Sequence, residues 1–126
     1  MYDELTYPDQ KLTHLCIGAG YAVYNRLKFG YQEKYYQRAY ALELQQLGLQ
    51  YRKELKIAIT YNGVHIGRYF LDFLVADMIV VELKVASDFH PKHMAQVLGY
   101  LRAKKLKVGL ILLFTKSGLR IKRIVN

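Results

Sequence analysis

The sequence predicts an α/β fold with its elements in the order α-α-β-β-β-α-β-β. Three observations lead there. Apolar residues recur at helical spacing as far as Leu47, then switch to strand alternation and short all-apolar runs between Leu49 and Val85. A proline-opened helical stretch from Pro91 separates those runs from two more. Finally, 126 residues with 52% hydrophobic and 23% charged side chains suit one folded domain spanning residues 1–126, with a real core but no room for a second.

The first helix covers residues 9 to 28. Asp9 is its expected N-cap, and Leu12, Leu15, Cys16, Ala19, Ala22 and Val23 keep a helical period. Gly18 and Gly20 weaken the helix but permit close packing. Gly30, after Leu27-Lys28-Phe29, suits the left-handed position that closes a helix. The second helix runs from Glu33 to Leu47 on the stripe Tyr36, Ala39, Tyr40, Leu44 and Leu47, and Gly48 stops it. Glu33 falls in its first turn, where the positive end of the macrodipole favours a carboxylate.

Between Leu49 and Thr60 the residues Leu55, Ile57 and Ile59 alternate with Lys56 and Ala58, as a half-buried strand requires. Asn62-Gly63 is a strong hairpin signal, followed by strands His65–Val75 and Met78–Val85. These three strands make an antiparallel meander. Ser87 to Pro91 supplies a capping residue and a proline near the first helical position. The helix continues to Lys104 with Met94, Val97, Leu98 and Leu101 inward. Lys107–Phe114 is apolar on both faces, hence a central buried strand. Ser117-Gly118 turns into the last strand, Leu119–Val125, with Arg120 and Lys122 on one side.

Several function classes drop out. No apolar run approaches the ~18 residues of a membrane helix, and no signal-peptide pattern opens the chain. The lone Cys16 excludes an internal disulfide and favours a reducing, cytoplasmic setting; it reads as buried filler. No Cys and His cluster has zinc spacing. The formal charge of +9 favours an anionic partner, nucleic acid ahead of a membrane surface. Twelve tyrosines can stack on bases or bond phosphates, although most serve packing.

The chemistry concentrates in Tyr69–Val85, where Asp72, Glu82 and Lys84 interrupt apolar strands. If Ala76-Asp77-Met78 forms a three-residue connection, Val75 faces Ile79, Leu74 faces Val80 and Asp72 faces Glu82. Lys84 then shares a face with Glu82. Directly opposed like charges destabilise a sheet, and one lysine only partly offsets two carboxylates. A divalent cation resolves the conflict, since Mg²⁺ takes one or two carboxylates plus waters.

Asp72 followed by Glu82-Leu83-Lys84 on the hairpin partner, within this element order, resembles the PD-(D/E)xK nuclease motif. Leu71 stands where the proline of that name would be. Gln96-x-x-x-Tyr100 resembles the Gln-xxx-Tyr element of the RecB-like branch. Gly30-Tyr31-Gln32-Glu33-Lys34-Tyr35-Tyr36 is similar to the signature of the small bacterial GxxExxY proteins, a likeness that extends over nearly the whole chain. The resemblance implies a restriction-endonuclease-like core, a mixed central sheet flanked by helices. It also implies metal-dependent hydrolysis of nucleic acid, with DNA favoured over RNA. Asp72, Glu82 and the Leu83 carbonyl would hold Mg²⁺ (Mn²⁺ as substitute), and Lys84 would orient or activate water. Glu33 would bind a second ion or position the nucleophile, and Gln96 and Tyr100 would orient Lys84 or contact the strand backbone. So small a core, without a recognition domain, is expected to act as a homodimer on duplex. Two other readings stay open: a catalytically silent nucleic-acid-binding or assembly module that retains the fold, and a structural ion cluster.

Overall fold

The computed structural model describes residues 9–126. The expected element order is found: α1 (Gln10–Leu27), α2 (Glu33–Gln46), β1 (Tyr51–Tyr61), β2 (Val64–Val75), β3 (Ile79–Val85), α3 (Pro91–Lys104), β4 (Val108–Thr115) and β5 (Gly118–Val125). The strands form one sheet in the order β1-β2-β3-β4-β5. β1, β2 and β3 are the expected antiparallel meander. α3 then carries the chain across the sheet, so β4 runs parallel to β3, and β5 returns antiparallel. The sheet is therefore mixed.

Helices cover both faces. Cys16 and Val23 of α1, with Tyr36, Tyr40 and Leu44 of α2, pack on Phe73, Val81, Leu83, Leu112 and Phe114. Val97, Tyr100 and Leu101 of α3 pack on Leu71, Leu74, Val80 and Ile111 of the other face. Covered on both sides, β4 is buried at every residue, which is why its sequence shows no alternation. Cys16 is fully buried filler, and burial pushes its thiol up to about 12. Two glycines set helix-to-sheet distances. A Cβ on Gly109 would lie 2.5 Å from a Val97 methyl, and one on Gly20 would lie 2.9 Å from a Leu112 methyl. Gly18 has nothing within 4 Å, so only Gly20 serves close packing.

Two local expectations are corrected and a third is made specific. Asp9 makes no side-chain cap; its carbonyl accepts from the Thr13 backbone and hydroxyl instead. α1 ends at Leu27, and Lys28 rather than glycine takes the left-handed φ of 60°, with Gly30 at 127° two residues on. The cap of α3 is His90, whose Nδ1 accepts from the Lys92 N–H at 3.0 Å, so an imidazole does what a short oxygen side chain usually does.

The feature that positions the site is a fork. β2 pairs with β1 along its length but with β3 only over Phe73–Val75. From Asp72 back toward Val64, β1 and β2 leave the sheet as a two-stranded ribbon. Alternation fails at the same place: Leu71 and Leu74 both face α3, whereas Phe73 faces α1 and α2. Across from Asp72, Glu54 holds a φ of 54° and drops out of the ladder between the pairs Lys53–Phe73 and Leu55–Leu71. A left-handed φ costs a non-glycine residue about 1–2 kcal/mol.

Candidate active site

The fork opens two backbone groups that a continuous sheet would pair, and side chains take them. The Asp72 N–H donates to Glu82 Oε1 at 2.9 Å, and the Leu83 N–H donates to Asp72 Oδ2 at 2.7 Å. The expected register holds at Val75–Ile79 and Leu74–Val80, but the ladder stops at Phe73–Val81. Asp72 and Glu82 are thus not a ladder pair; each carboxylate caps the other strand's backbone where the strands part. The physical reason is the lost alternation at Asp72, which spreads β2 away from β3 and admits both side chains between them.

Burial sets the electrostatics. Glu82 is 1% exposed, and that burial, with the Asp72 charge next, pushes its carboxyl up to about 9. Burial also raises Asp72, against hydrogen bonds from its neighbours and the Lys84 charge. The two carboxyls stand within hydrogen-bond reach of each other, and the pair retains a proton at neutral pH.

Those donors fit a hard cation. In an extended strand a residue's N–H and C=O share one edge. Because the Leu83 N–H points into the fork at Asp72, its carbonyl points there too. Asp72, Glu82 and that carbonyl offer oxygens only, and a bound divalent cation would replace the retained proton. Each Asp72 oxygen already accepts one hydrogen bond and has capacity for another interaction.

Glu33 enters differently from the expectation. It opens α2, and its Oε1 accepts from the Val85 N–H, the next fork-facing amide, at 3.0 Å. Its Oε2 lies 4.0 Å from Lys84 Nζ, and both side chains are about a quarter to a third exposed. Glu33 therefore stands with Lys84. Among the described residues, no three acidic, His or Cys side chains gather at metal-binding distance. Lys84 also lies close enough to Asp72 and Glu82 for its charge to favour both carboxylates.

The Gln96 and Tyr100 pair separates. Gln96 is held through its carbonyl, which accepts from the Tyr69 hydroxyl at 3.3 Å. Tyr100 is buried in the α3-side core, and the charges it feels are Arg52 and Asp77, at the turn end of the β2–β3 hairpin rather than at the fork. The α3 side chain that feels Lys84 is His93. Burial first, then Lys84, holds that imidazole below its usual range, hence neutral near pH 7.

Two residues escaped the reading of the sequence. Gln37 donates from Nε2 to Asp72 Oδ1 at 2.9 Å, and its signal was its place four residues after Glu33 on one helix face. His93 lies three residues before Gln96 and seven before Tyr100, on the same stripe of α3. A cleft of about 140 Å³ opens on Asp72, lined by Lys34, Gln37, Arg38, Lys53, Glu54 and Phe73. The larger hollow of about 540 Å³ between α1 and α2 touches none of the fork residues.

The fold is a mixed five-stranded sheet with helices on both faces, and it brings two carboxylates and a lysine to a fork between strands. The chain belongs to the PD-(D/E)XK nuclease superfamily, whose sequence profile matches residues 10–124. Nucleases of this superfamily generally depend on divalent metal ions and act on nucleic acids. No relative was found among curated proteins. A solved structure titled "Crystal structure of SSO0001" is similar at 12% identity and a TM-score of 0.48, over 95% of this chain and 80% of that one. No described helix is long and apolar enough to cross a membrane.

Proposed function

We propose that this protein is a metal-dependent nuclease that hydrolyses phosphodiester bonds of nucleic acid. The observation that carries the reading is the geometry of the fork, where half-buried Asp72 and fully buried Glu82 each accept a backbone N–H of the other strand with Lys84 beside them. A purely structural cluster gains nothing from crowding two carboxyls in a buried site, whereas a cation site needs them there.

Asp72, Glu82 and the Leu83 carbonyl would hold Mg²⁺ or Mn²⁺, which supplies charge neutralisation at the phosphate and a more acidic water. Gln37 and the Leu83 N–H fix the Asp72 carboxylate, so its ligand lone pairs point into the fork. Lys84 stabilises charge developing on the phosphate oxygens and orients the attacking water. Glu33, anchored on the Val85 N–H, aims the Lys84 ammonium. His93, neutral beside Lys84, can accept a hydrogen bond from water in the same space.

Within the superfamily we place the chain with the GxxExxY proteins. Gly30 sits at a φ of 127°, Glu33 reaches the fork, and Tyr36 is fully buried with its hydroxyl donating to the Lys28 carbonyl. Each residue of the signature thus has a distinct task here.

The test is cleavage of labelled single- and double-stranded DNA and RNA with Mg²⁺, Mn²⁺ or EDTA, for wild type and Lys84→Ala. Metal-dependent products from the wild type alone are expected. Retained cutting by a folded Lys84→Ala protein removes Lys84 from its role. Salt-sensitive binding without turnover on any substrate returns the chain to the silent binding module.

A further inference from the structure

Beside the fork, the first turn of α2 and the connection before it expose aromatic and cationic side chains together. Tyr31 and Tyr35 are 49% and 43% exposed, with ring centroids 6.4 Å apart at 73°. Two cations approach the Tyr35 ring: Lys34 Nζ is 5.2 Å and the Arg38 guanidinium 5.6 Å from its centroid. Lys34 and Arg38 also line the cleft that opens on Asp72, and Lys53 completes its basic wall from β1. Among the described residues, none of these three cations has a carboxylate within 4.0 Å. Glu54 shares the cleft and leaves its balance positive.

A ring of cations around a cleft ending at a carboxylate suits a chain of phosphates that ends at a cutting site. An exposed ring with cations nearby suits a nucleotide, whose base can stack on the ring while its phosphate meets the cations. The two together describe a nucleotide strand whose bases are free to stack. A base inside a duplex has both faces covered by its neighbours, so it cannot lie on Tyr35 without leaving the helix.

We propose that Tyr35, supported by Tyr31, is a base-stacking platform, and that Lys34, Arg38 and Lys53 hold the adjoining phosphates. The preferred substrate is then a single-stranded segment of nucleic acid, not a continuous duplex. This rests on reading the fork as a nuclease site for the cutting step, but not for the binding step.

The test is fluorescence anisotropy with a labelled single strand and its duplex, in EDTA so that no cutting intervenes. The wild type should bind the single strand more tightly. Stacking on one aromatic residue is worth about 1–3 kcal/mol, so Tyr35→Ala should weaken single-strand binding about 5- to 150-fold and leave duplex binding nearly unchanged. Tyr35→Phe should keep the affinity, and Tyr21→Ala, exposed on α1, should match wild type. Arg38→Ala should reduce the salt slope by about 1 on both ligands. Tyr35→Ala binding the single strand like wild type, or losing both ligands equally, overturns the platform. If cleavage persists in that case, the nuclease reading survives without it. Loss of single-strand binding in Tyr35→Ala, with no metal-dependent cleavage by wild type, supports the platform and ends the nuclease reading instead.

Discussion

Glu82→Gln in metal-free buffer should stabilise the protein at neutral and alkaline pH. The folded-state carboxyl of Glu82 is raised from 4.5 to about 9, the reverse of a salt-bridged acid. Folded protein then binds the proton more tightly than unfolded protein does throughout that interval. Stability is therefore greatest below the lower value and declines as pH rises toward the upper one. At about 1.4 kcal/mol per pH unit the whole interval is worth about 6 kcal/mol, and the step from pH 5.5 to 7.5 about 3 kcal/mol. For a chain of this size that step corresponds to about 10 °C in melting temperature. Glutamine keeps an oxygen for the Asp72 N–H and gains an N–H for the Asp72 carboxylate, but it carries no charge at any pH. The assay is thermal melting of wild type and Glu82→Gln from pH 5 to 9 in EDTA. Their difference cancels most other titrating groups, and the variant's advantage should grow with pH. Saturating Mg²⁺ should narrow the gap at pH 7.5, because a ligand at 100 times its Kd adds about 2.7 kcal/mol to whichever form binds it, against the roughly 4 kcal/mol accumulated between pH 4.5 and 7.5. A constant difference across the pH range refutes the frustrated-carboxyl account of the fork.

Other expectations follow from single contacts. Gln37→Ala removes the donor to Asp72 Oδ1 and should shift the Mg²⁺ midpoint of thermal stabilisation upward by about 10- to 100-fold, with little change in the metal-free melt. Tyr36→Phe leaves the Lys28 carbonyl without its buried donor, and denaturant unfolding should show a loss of about 1–2 kcal/mol. Gly109→Ala sets a methyl against Val97 in the α3–β4 contact, and should cost about 1–3 kcal/mol by the same measurement. Gly18→Ala, in open space on α1, should instead gain up to about 1 kcal/mol.

The architecture was legible because each element carries one dominant period. α2 shows a clear apolar stripe, β4 an unbroken apolar run, and Asn62-Gly63 a turn that only one geometry suits. The β2–β3 register was legible for the same kind of reason, since the short loop at Ala76–Asp77 leaves little choice; both residues take positive φ. What could not be read was the irregularity at Asp72 and Glu54. A glutamate holding a left-handed φ has no propensity signature, and the face change it accompanies occurs in both strands at once. Strict alternation therefore put Asp72 opposite Glu82 in a ladder, when the strands have already parted. The surroundings of Tyr100 were equally hard to read. Four-residue spacing on α3 fixes a face but not what that face meets along its length: His93 feels Lys84, whereas Tyr100 feels Arg52 and Asp77 by the hairpin turn.

The three-residue spacing from Gly30 through Glu33 to Tyr36 shows how a short pattern can encode a site it mostly does not form. Tyr36 lies against Phe114 with centroids 4.2 Å apart, and its hydroxyl donates to the Lys28 carbonyl just past α1. That contact pins the start of α2 over the end of β4 and fixes the path of the α1–α2 connection. Gly30, in a backbone region that other residues rarely enter, lets the chain turn tightly enough to begin a helix there. With both ends of the turn fixed, the first helical residue has one position available, over the open edge of β3. A glutamate at that position reaches the Val85 amide and the Lys84 ammonium together. Shifting the acid by one residue would rotate it by about 100° around α2, away from the edge. The spacing therefore sets Glu33 beside Lys84, whose charge reaches the carboxylates of the fork.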